Sequence, residues 1–280
     1  MNSSKPAGEP ARTILARILR SQRLTGREVC DLKLSASGNT IVVETAALII
    51  RIAWCAPIHA RAESRIWRAA GRAGLPVPEL AAHGEVEGHE FVVYPRLPGR
   101  PSPTGVGVLR EAGVKLAALH SATVDAFPVE LDSRPRRVRR FALARTFVRD
   151  QVRNLPRGVA ECVRRAEADW KSAFHTPTHG DFRGPNILTR GGRLSGVLDW
   201  SDARRASREA DLGSVDWARF CGVLDGYLTV APDVRGTELV GYFAGRYGAL
   251  AAGGVVTRGA ALEAVERCVA AVELRGITFE

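Results

Sequence analysis

The chain has 280 residues, 45% hydrophobic and 25% charged, the balance of an ordinary globular protein with enough length for one large core or two lobes sharing a cleft. No apolar run reaches the ~20 residues of a membrane span, Met1 to Pro10 lacks the basic start and apolar core of a secretory signal, and five scattered cysteines (Cys30, Cys55, Cys162, Cys221, Cys268) show no Cys-x-x-Cys spacing; together these exclude a disulfide framework and a thiolate zinc site, and point to a reducing cytoplasm without a membrane partner. The net charge of +10 gathers between Arg134 and Arg165, where only Asp150 and Glu161 are acidic; without zinc-finger spacing or an aromatic-rich strand motif, this stripe reads as a solvated helix face rather than a nucleic-acid site.

In chain order, Ile14, Leu15, Ile18 and Leu19 have helical spacing and predict a helix over 11–21. Three strand-like runs follow, 29–36, 40–45 and 48–53, with Ser37-Gly38-Asn39 as a turn signal, which predicts a three-stranded antiparallel meander. Pro57 opens a predicted helix to about Ala73, ended by Gly74-Leu75-Pro76-Val77-Pro78. A second hairpin is expected over 81–94, turning at Glu87-Gly88-His89. Leu97-Pro98-Gly99-Arg100-Pro101 then interrupts all periodicity, and the pattern after it is helical: 106–121, 136–153, 158–173, and from Asp211 onward with a joint at Ala252-Gly253-Gly254. One short strand, Leu194–Leu198, breaks that run. The fold class expected is α+β, with a small N-terminal antiparallel sheet lobe and a larger, mainly helical C-terminal lobe.

The richest segment for chemistry runs from Thr178 to Leu188 and contains His179, Gly180, Asp181, Arg183, Gly184, Pro185 and Asn186. Its glycines and proline disfavour a regular helix and predict a shaped loop entering a strand at Ile187-Leu188. Asp199 follows at the tip of the second apolar strand. Phosphoryl transfer needs a carboxylate to orient and deprotonate the attacking hydroxyl, for which Asp181 fits. It also needs hard oxygen ligands for magnesium, which Asn186 and Asp199 supply.

This segment resembles the catalytic loop, His-Gly-Asp-x-x-x-x-Asn, of the aminoglycoside phosphotransferase and choline kinase family, itself similar to the His-Arg-Asp and Asp-Phe-Gly set of protein kinases. Leu198-Asp199-Trp200 looks like the family's Ile-Asp-Trp. The resemblance runs along nearly the whole chain and implies a two-lobed, protein-kinase-like fold, divided as 1–95 (nucleotide-binding) and 96–280 (catalytic and acceptor-binding). It implies ATP or GTP and Mg2+ as cofactors, and a hydroxyl-bearing acceptor as the other partner. By the same resemblance Ser37, Gly38 and Asn39 lie in the turn over the nucleotide phosphates. Arg51 takes the place of a phosphate-binding lysine, held by Glu63 from the following helix. Tyr94 backs the adenine pocket, while the Pro95 carbonyl and the Leu97 N–H bond adenine. Arg183, two places after Asp181, either supplies positive charge beside the transferring phosphate or is a solvated loop arginine. His120 and His179 are expected to brace the structure. Asp211 looks like a buried helix-start aspartate, expected as an N-cap.

Two rival readings use the same residues. His175-x-x-x-His179-x-Asp181 could ligate zinc, but Pro177 breaks the helix that spacing needs, and Asn186, Asp199 and Arg51 would have no role. A non-catalytic, kinase-like binding protein would be expected to lack the base or a metal ligand, whereas all three residues are present. The family's habits favour an antibiotic or other secondary metabolite as acceptor, with choline, a sugar, a nucleoside or a peptide Ser/Thr hydroxyl as alternatives. Asp202, Asp216, Asp225, Glu263, Glu266 and Glu273 are candidate acceptor-site carboxylates that sequence leaves unassigned.

Overall fold

The structure, a computed structural model, describes residues 9–22, 29–34, 40–55, 58, 60–125, 127, 134–151, 153–170 and 176–279. The chain forms two compact units, Met1–Arg68 with Val77–Leu97, and Ala69–Pro76 with Pro98–Glu280. Among the described residues no helix is long and apolar enough to cross a membrane.

The first unit runs α1 (Glu9–Ser21), β1 (Val29–Leu34), β2 (Thr40–Thr45), β3 (Leu48–Ala53), the part of α2 (Ala60–Arg72) up to Arg68, β4 (Ala82–Val86) and β5 (His89–Pro95). Its five strands pair in the order β1-β2-β3-β5-β4, each pair antiparallel. Side chains alternate between the two faces of a strand, and the register puts Ile41 opposite Ile52 and Val43 opposite Ile50. Ile50 in turn lies opposite Val93, and Ile52 opposite Phe91. These six side chains form one buried face, covered by Ile14, Leu15 and Ile18 of α1. The other face carries Val42, Arg51 and Val92 in cross-strand register. The expected hairpin turns in only two residues, Glu87 (φ 52) and Gly88 (φ 79), the left-handed pair of a tight hairpin turn. His89 therefore begins β5 instead of sitting in the turn. Helix α2 starts at Ala60, later than expected, and Pro57 lies outside the described residues, as does the turn Ser37-Gly38-Asn39.

The second unit contains α3 (Val106–His120), α4 (Arg134–Asp150), α5 (Val159–Trp170), α6 (Arg208–Leu212), α7 (Trp217–Leu228), α8 (Gly236–Ala252) and α9 (Arg258–Glu273). Short strands β6 (Arg100–Pro101), β8 (Ile187–Arg190) and β9 (Arg193–Val197) make one small sheet, and β7 (Thr176–Thr178) pairs with β10 (Arg204–Ala206) in another. The sequence pattern showed β8 and β9 but not β6, β7 or β10, which are two or three residues long and carry no measurable alternation. Helix α8 is the spine of the unit, packed against α4, α5, α6 and α9. Helices α3 and α7 touch backbone to backbone: a Cβ on Gly113 would strike the Val223 carbonyl, and one on Gly226 would strike the Arg110 carbonyl. This close approach holds His120 of α3 beside Tyr227 of α7, to which it bonds at 2.8 Å.

Candidate active site

The functional loop leaves β7 and is fixed at both ends by carboxylates from further along the chain. Thr178 donates its hydroxyl to the Arg204 carbonyl (2.9 Å) in the β7–β10 pair. The backbone N–H groups of His179 and Gly180 then both donate to Asp211, to Oδ2 and Oδ1, each at 2.6 Å. Gly180 has φ +84, and a Cβ there would collide with the Asp202 carbonyl, so only glycine fits this bend. Asp211 is fully buried and is also bonded to His120 Nε2 at 3.1 Å. A carboxylate can only accept, so Nε2 carries the hydrogen, and the Tyr227 hydroxyl completes the chain at His120 Nδ1 (2.8 Å). Burial works to raise the Asp211 pKa, but the hydrogen bonds from His120 and the His179 backbone outweigh it and hold the carboxyl below its ordinary range. Asp211 does not cap its own helix, as sequence suggested; Ser207 is the N-cap of α6, and Asp211 caps the functional loop instead.

His179 is buried and accepts the Asp181 N–H at Nδ1 (3.2 Å) while donating from Nε2 to the Leu198 carbonyl (2.9 Å). Both ring nitrogens are thereby used to tie the Asp181 loop to the end of β9. This leaves no lone pair for zinc, and His175 lies outside the described residues.

At the far end of the loop the Gly184 N–H donates to Asp216 Oδ2 (2.7 Å), and its carbonyl accepts from Ser102 N–H (2.8 Å). Arg219 closes this ring by donating to the Ser102 and Pro103 carbonyls (3.1 and 2.9 Å) and to Asp216 (3.5 Å). Arg246 reaches Asp216 Oδ1 at 3.2 Å; burial pulls its pKa below the ordinary value despite the nearby carboxylates of Asp216 and Asp181. Sequence left Asp216 among the possible acceptor carboxylates, and the structure shows it engaged with the loop. Asp225, from the same group, is paired with Arg275 at 2.7 Å. No local pattern could have shown either role, because the partners lie about thirty to fifty residues away.

Between these anchors the side chains of Asp181, Arg183 and Asn186 converge. Asp181 Oδ2 accepts from Arg183 Nε (2.7 Å) and from Asn186 Nδ2 (3.1 Å), and Asn186 Nδ2 also donates to the Asp181 carbonyl (2.9 Å). The Asn186 amide oxygen takes part in none of these three bonds. Partial burial works against the Arg183 charge, yet Asp181, with Asp216 and Asp199 nearby, holds its pKa above the ordinary value. Arg183 is therefore neither a free solvated arginine nor a buried strut: its side chain is 41% exposed and bonded to Asp181.

Asn186 and Asp199 are set by one hairpin. Ile187 pairs with Val197, and the ladder extends one step further where Leu198 N–H donates to the Asn186 carbonyl (2.8 Å). Asp199 comes next, exposed, in the left-handed region (φ 58, ψ 70), its Oδ1 accepting from Ser201 Oγ at 2.7 Å. A non-glycine residue in this conformation is strained, and such strain collects at functional sites. The donor set, an amide oxygen and a carboxylate fixed at one end of a two-stranded ladder, fits a hard divalent cation that keeps its remaining positions for water and phosphate.

In the first unit, Arg51 Nη1 bonds Glu63 Oε2 at 2.8 Å, with both side chains largely buried. Tyr94 lies two residues after Val92, hence on the same sheet face as Arg51, and meets Trp67 of α2 edge-on (5.2 Å, 78°). The fold thus brings Arg51, Glu63 and Tyr94 onto the face that α2 covers. Pro95 ends β5 opposite Leu48, and Leu97 follows two residues later.

The sequence matches the phosphotransferase enzyme family over residues 32–251, and the chain belongs to that family. Solved structures share its fold. A macrolide 2'-phosphotransferase, MphH, from Brachybacterium faecium is 19% identical, with a TM-score of 0.55, covering 89% of this chain and 97% of its own. A thermostable mutant of the aminoglycoside phosphotransferase APH(4)-Ia, in complex with ADP and hygromycin B, is 17% identical with a TM-score of 0.59 (92% and 98% covered). A choline/ethanolamine kinase family protein from Mesorhizobium loti is 20% identical with a TM-score of 0.58 (94% and 95% covered). A comparison with curated proteins gave no match. The chain is a phosphotransferase with a hydroxyl acceptor, built as a small antiparallel sheet unit and a larger helical unit of the kinase-like fold.

Proposed function

We propose that this phosphotransferase moves the γ-phosphate of ATP or GTP to a hydroxyl of a small molecule, an antibiotic or other secondary metabolite, with Asp181 as the base. The convergence of Arg183 and Asn186 on Asp181 Oδ2 carries this reading. The carboxylate keeps Oδ1 for the acceptor hydroxyl, which it orients and whose proton it takes as the O–P bond forms. Arg183, fixed to the same carboxylate, offsets the negative charge that spreads over the phosphoryl oxygens.

Asn186 and Asp199 would hold magnesium, which when bound neutralises charge on the β- and γ-phosphates. Glu63 keeps Arg51 in a fixed pose for the α/β-phosphates; arginine in this role adds a planar fork where a lysine would give a point charge. The turn Ser37-Gly38-Asn39 is assigned to the phosphates by family resemblance, and Tyr94, Pro95 and Leu97 would hold the adenine. A macrolide 2'-phosphotransferase and an aminoglycoside phosphotransferase in complex with ADP and hygromycin B have a similar fold, which supports an antibiotic acceptor. Three arginines around Asp181 and Asp216, namely Arg183, Arg219 and Arg246, make a polycationic acceptor the less favoured choice.

The test is acceptor-dependent release of ADP or GDP, wild type against Asp181→Ala, across macrolides, aminoglycosides, spectinomycin, nucleosides, choline and a Ser-containing peptide. Turnover with one acceptor, falling by at least ~100-fold in the variant, is expected. Failure to bind either nucleotide with magnesium overturns the proposal.

A further inference from the structure

Helix α2 carries a second feature on the side away from Glu63 and Trp67. At about 100° per residue, Arg61, Arg65 and Arg68 fall within one narrow stripe, nearly opposite those two inward side chains. Together with Ser64, and with His83 from β4, they line a concavity of about 480 Å³, a size typical of small-ligand sites. Among the described residues no carboxylate lines it.

These arginines are not needed to hold the fold. Arg61 and Arg65 are exposed, and Arg68 makes only a long bond to the Ser64 carbonyl (3.4 Å). Among the described residues none of the three has a carboxylate within 4.0 Å, whereas every arginine on α3, α5, α7 and α8 has one. Like charges at i, i+4 and i, i+3 destabilise a helix, so the bare stripe works against α2. A bound anion would reverse that sign.

We propose that this outer face of α2 is a binding site for a small polyphosphate anion, distinct from the residues assigned to the nucleotide. Three guanidinium groups supply forked N–H donors matched to phosphate oxygens. The stripe from Arg61 to Arg68 is about 10 Å long at 1.5 Å per residue, which suits a chain of two or three phosphates and is short for a nucleic-acid strand. The site stands independently of the catalytic assignment.

Calorimetric titration of the whole chain with inorganic tripolyphosphate, in magnesium-free buffer, tests it. Arg51→Ala removes a phosphate contact assigned to the nucleotide; a binding component owed to the outer face of α2 is expected to persist in it, with affinity falling about tenfold or more between roughly 50 and 200 mM salt. The triple variant Arg61→Gln/Arg65→Gln/Arg68→Gln is expected to bind at least about tenfold more weakly while keeping wild-type helicity, since glutamine is nearly as good a helix former. The single variant Arg65→Gln should show an intermediate loss. Undiminished binding by the triple variant overturns the site. Loss in Arg51→Ala alone would put the anion among the nucleotide residues and also overturns it. A single-stranded RNA oligonucleotide that binds the same arginines far more tightly than tripolyphosphate would overturn the small-anion assignment in favour of nucleic acid.

Discussion

The Asp211 carboxylate holds the backbone N–H of Gly180 at 2.6 Å from thirty-one positions further along the chain. Because its second oxygen holds the N–H of His179, one buried side chain fixes two successive peptide groups of the loop. Asp211→Ala leaves both donors without that partner and should cost about 3 kcal/mol in urea unfolding. Phosphate transfer should fall with it. Asp211→Asn should be nearly as harmful, because an amide offers one acceptor where two are used.

Stability should drop in acid through the same group. The folded-state pKa of Asp211 is lowered, as is that of Glu209, where bonds from Arg235 and Ser207 overcome the effect of burial. A lowered carboxylate binds its proton more weakly in the folded than in the unfolded chain. Its stabilisation is therefore complete above the unfolded value of about 4 and is lost as pH falls through the folded value. Urea midpoints measured from pH 7 down to pH 3 should fall for wild type. They should fall less steeply for Asp211→Ala.

Asp216 and Arg246 should separate turnover from nucleotide affinity. Asp216→Ala frees the Gly184 N–H and strips the half-buried Arg246 of its counter-charge. With the base displaced and the first unit untouched, kcat should fall on the order of 10- to 100-fold, the scale of a misplaced general base. KM for the nucleotide should move by less than about threefold, a split that steady-state kinetics would reveal.

Asp199→Gly should uncouple activity from stability. Glycine adopts φ 58 without strain, which offsets its greater freedom in the unfolded chain. The thermal midpoint should change by only the equivalent of about 1 kcal/mol. Transfer should fall by at least ~100-fold, because a proposed metal ligand is gone.

Gly226→Ala should act in the opposite way. A methyl group there meets the Arg110 backbone and forces α3 away from α7. Overpacking of this kind costs about 1–3 kcal/mol, here in a contact that also sets His120 against Asp211. The thermal midpoint should fall clearly, and transfer with it.

Much of this was legible in the sequence because it is local. The β-branched run 40–45 and the apolar run 48–53 marked β2 and β3 to the residue, and the candidates Asp181, Asn186 and Asp199 stood out by type and spacing. Other features rest on partners distant in sequence. That β5 lies beside β3 follows from neither strand's pattern, and Asp211 looked like an ordinary helix cap until its partners were seen. Asp216 was one unassigned carboxylate among six and Arg246 gave no signal, since an isolated aspartate and a helical arginine are common. The short strands β6, β7 and β10 exist only because a neighbour supplies their bonds.

The hairpin of β8 and β9 works as a pair of calipers. Asn186 and Asp199 sit at the jaws, and Gly191-Gly192 form the turn at the other end. Its register already shifts once between Leu188 and Thr189, so that Ser195 is taken up as an extra residue without disturbing the pairing of Ile187 with Val197. Length can thus be gained at the handle without opening the jaws. The Gly191-Gly192 turn is consequently the place in this unit where a peptide tag or a reporter could be spliced in and the proposed magnesium ligands left at their original spacing.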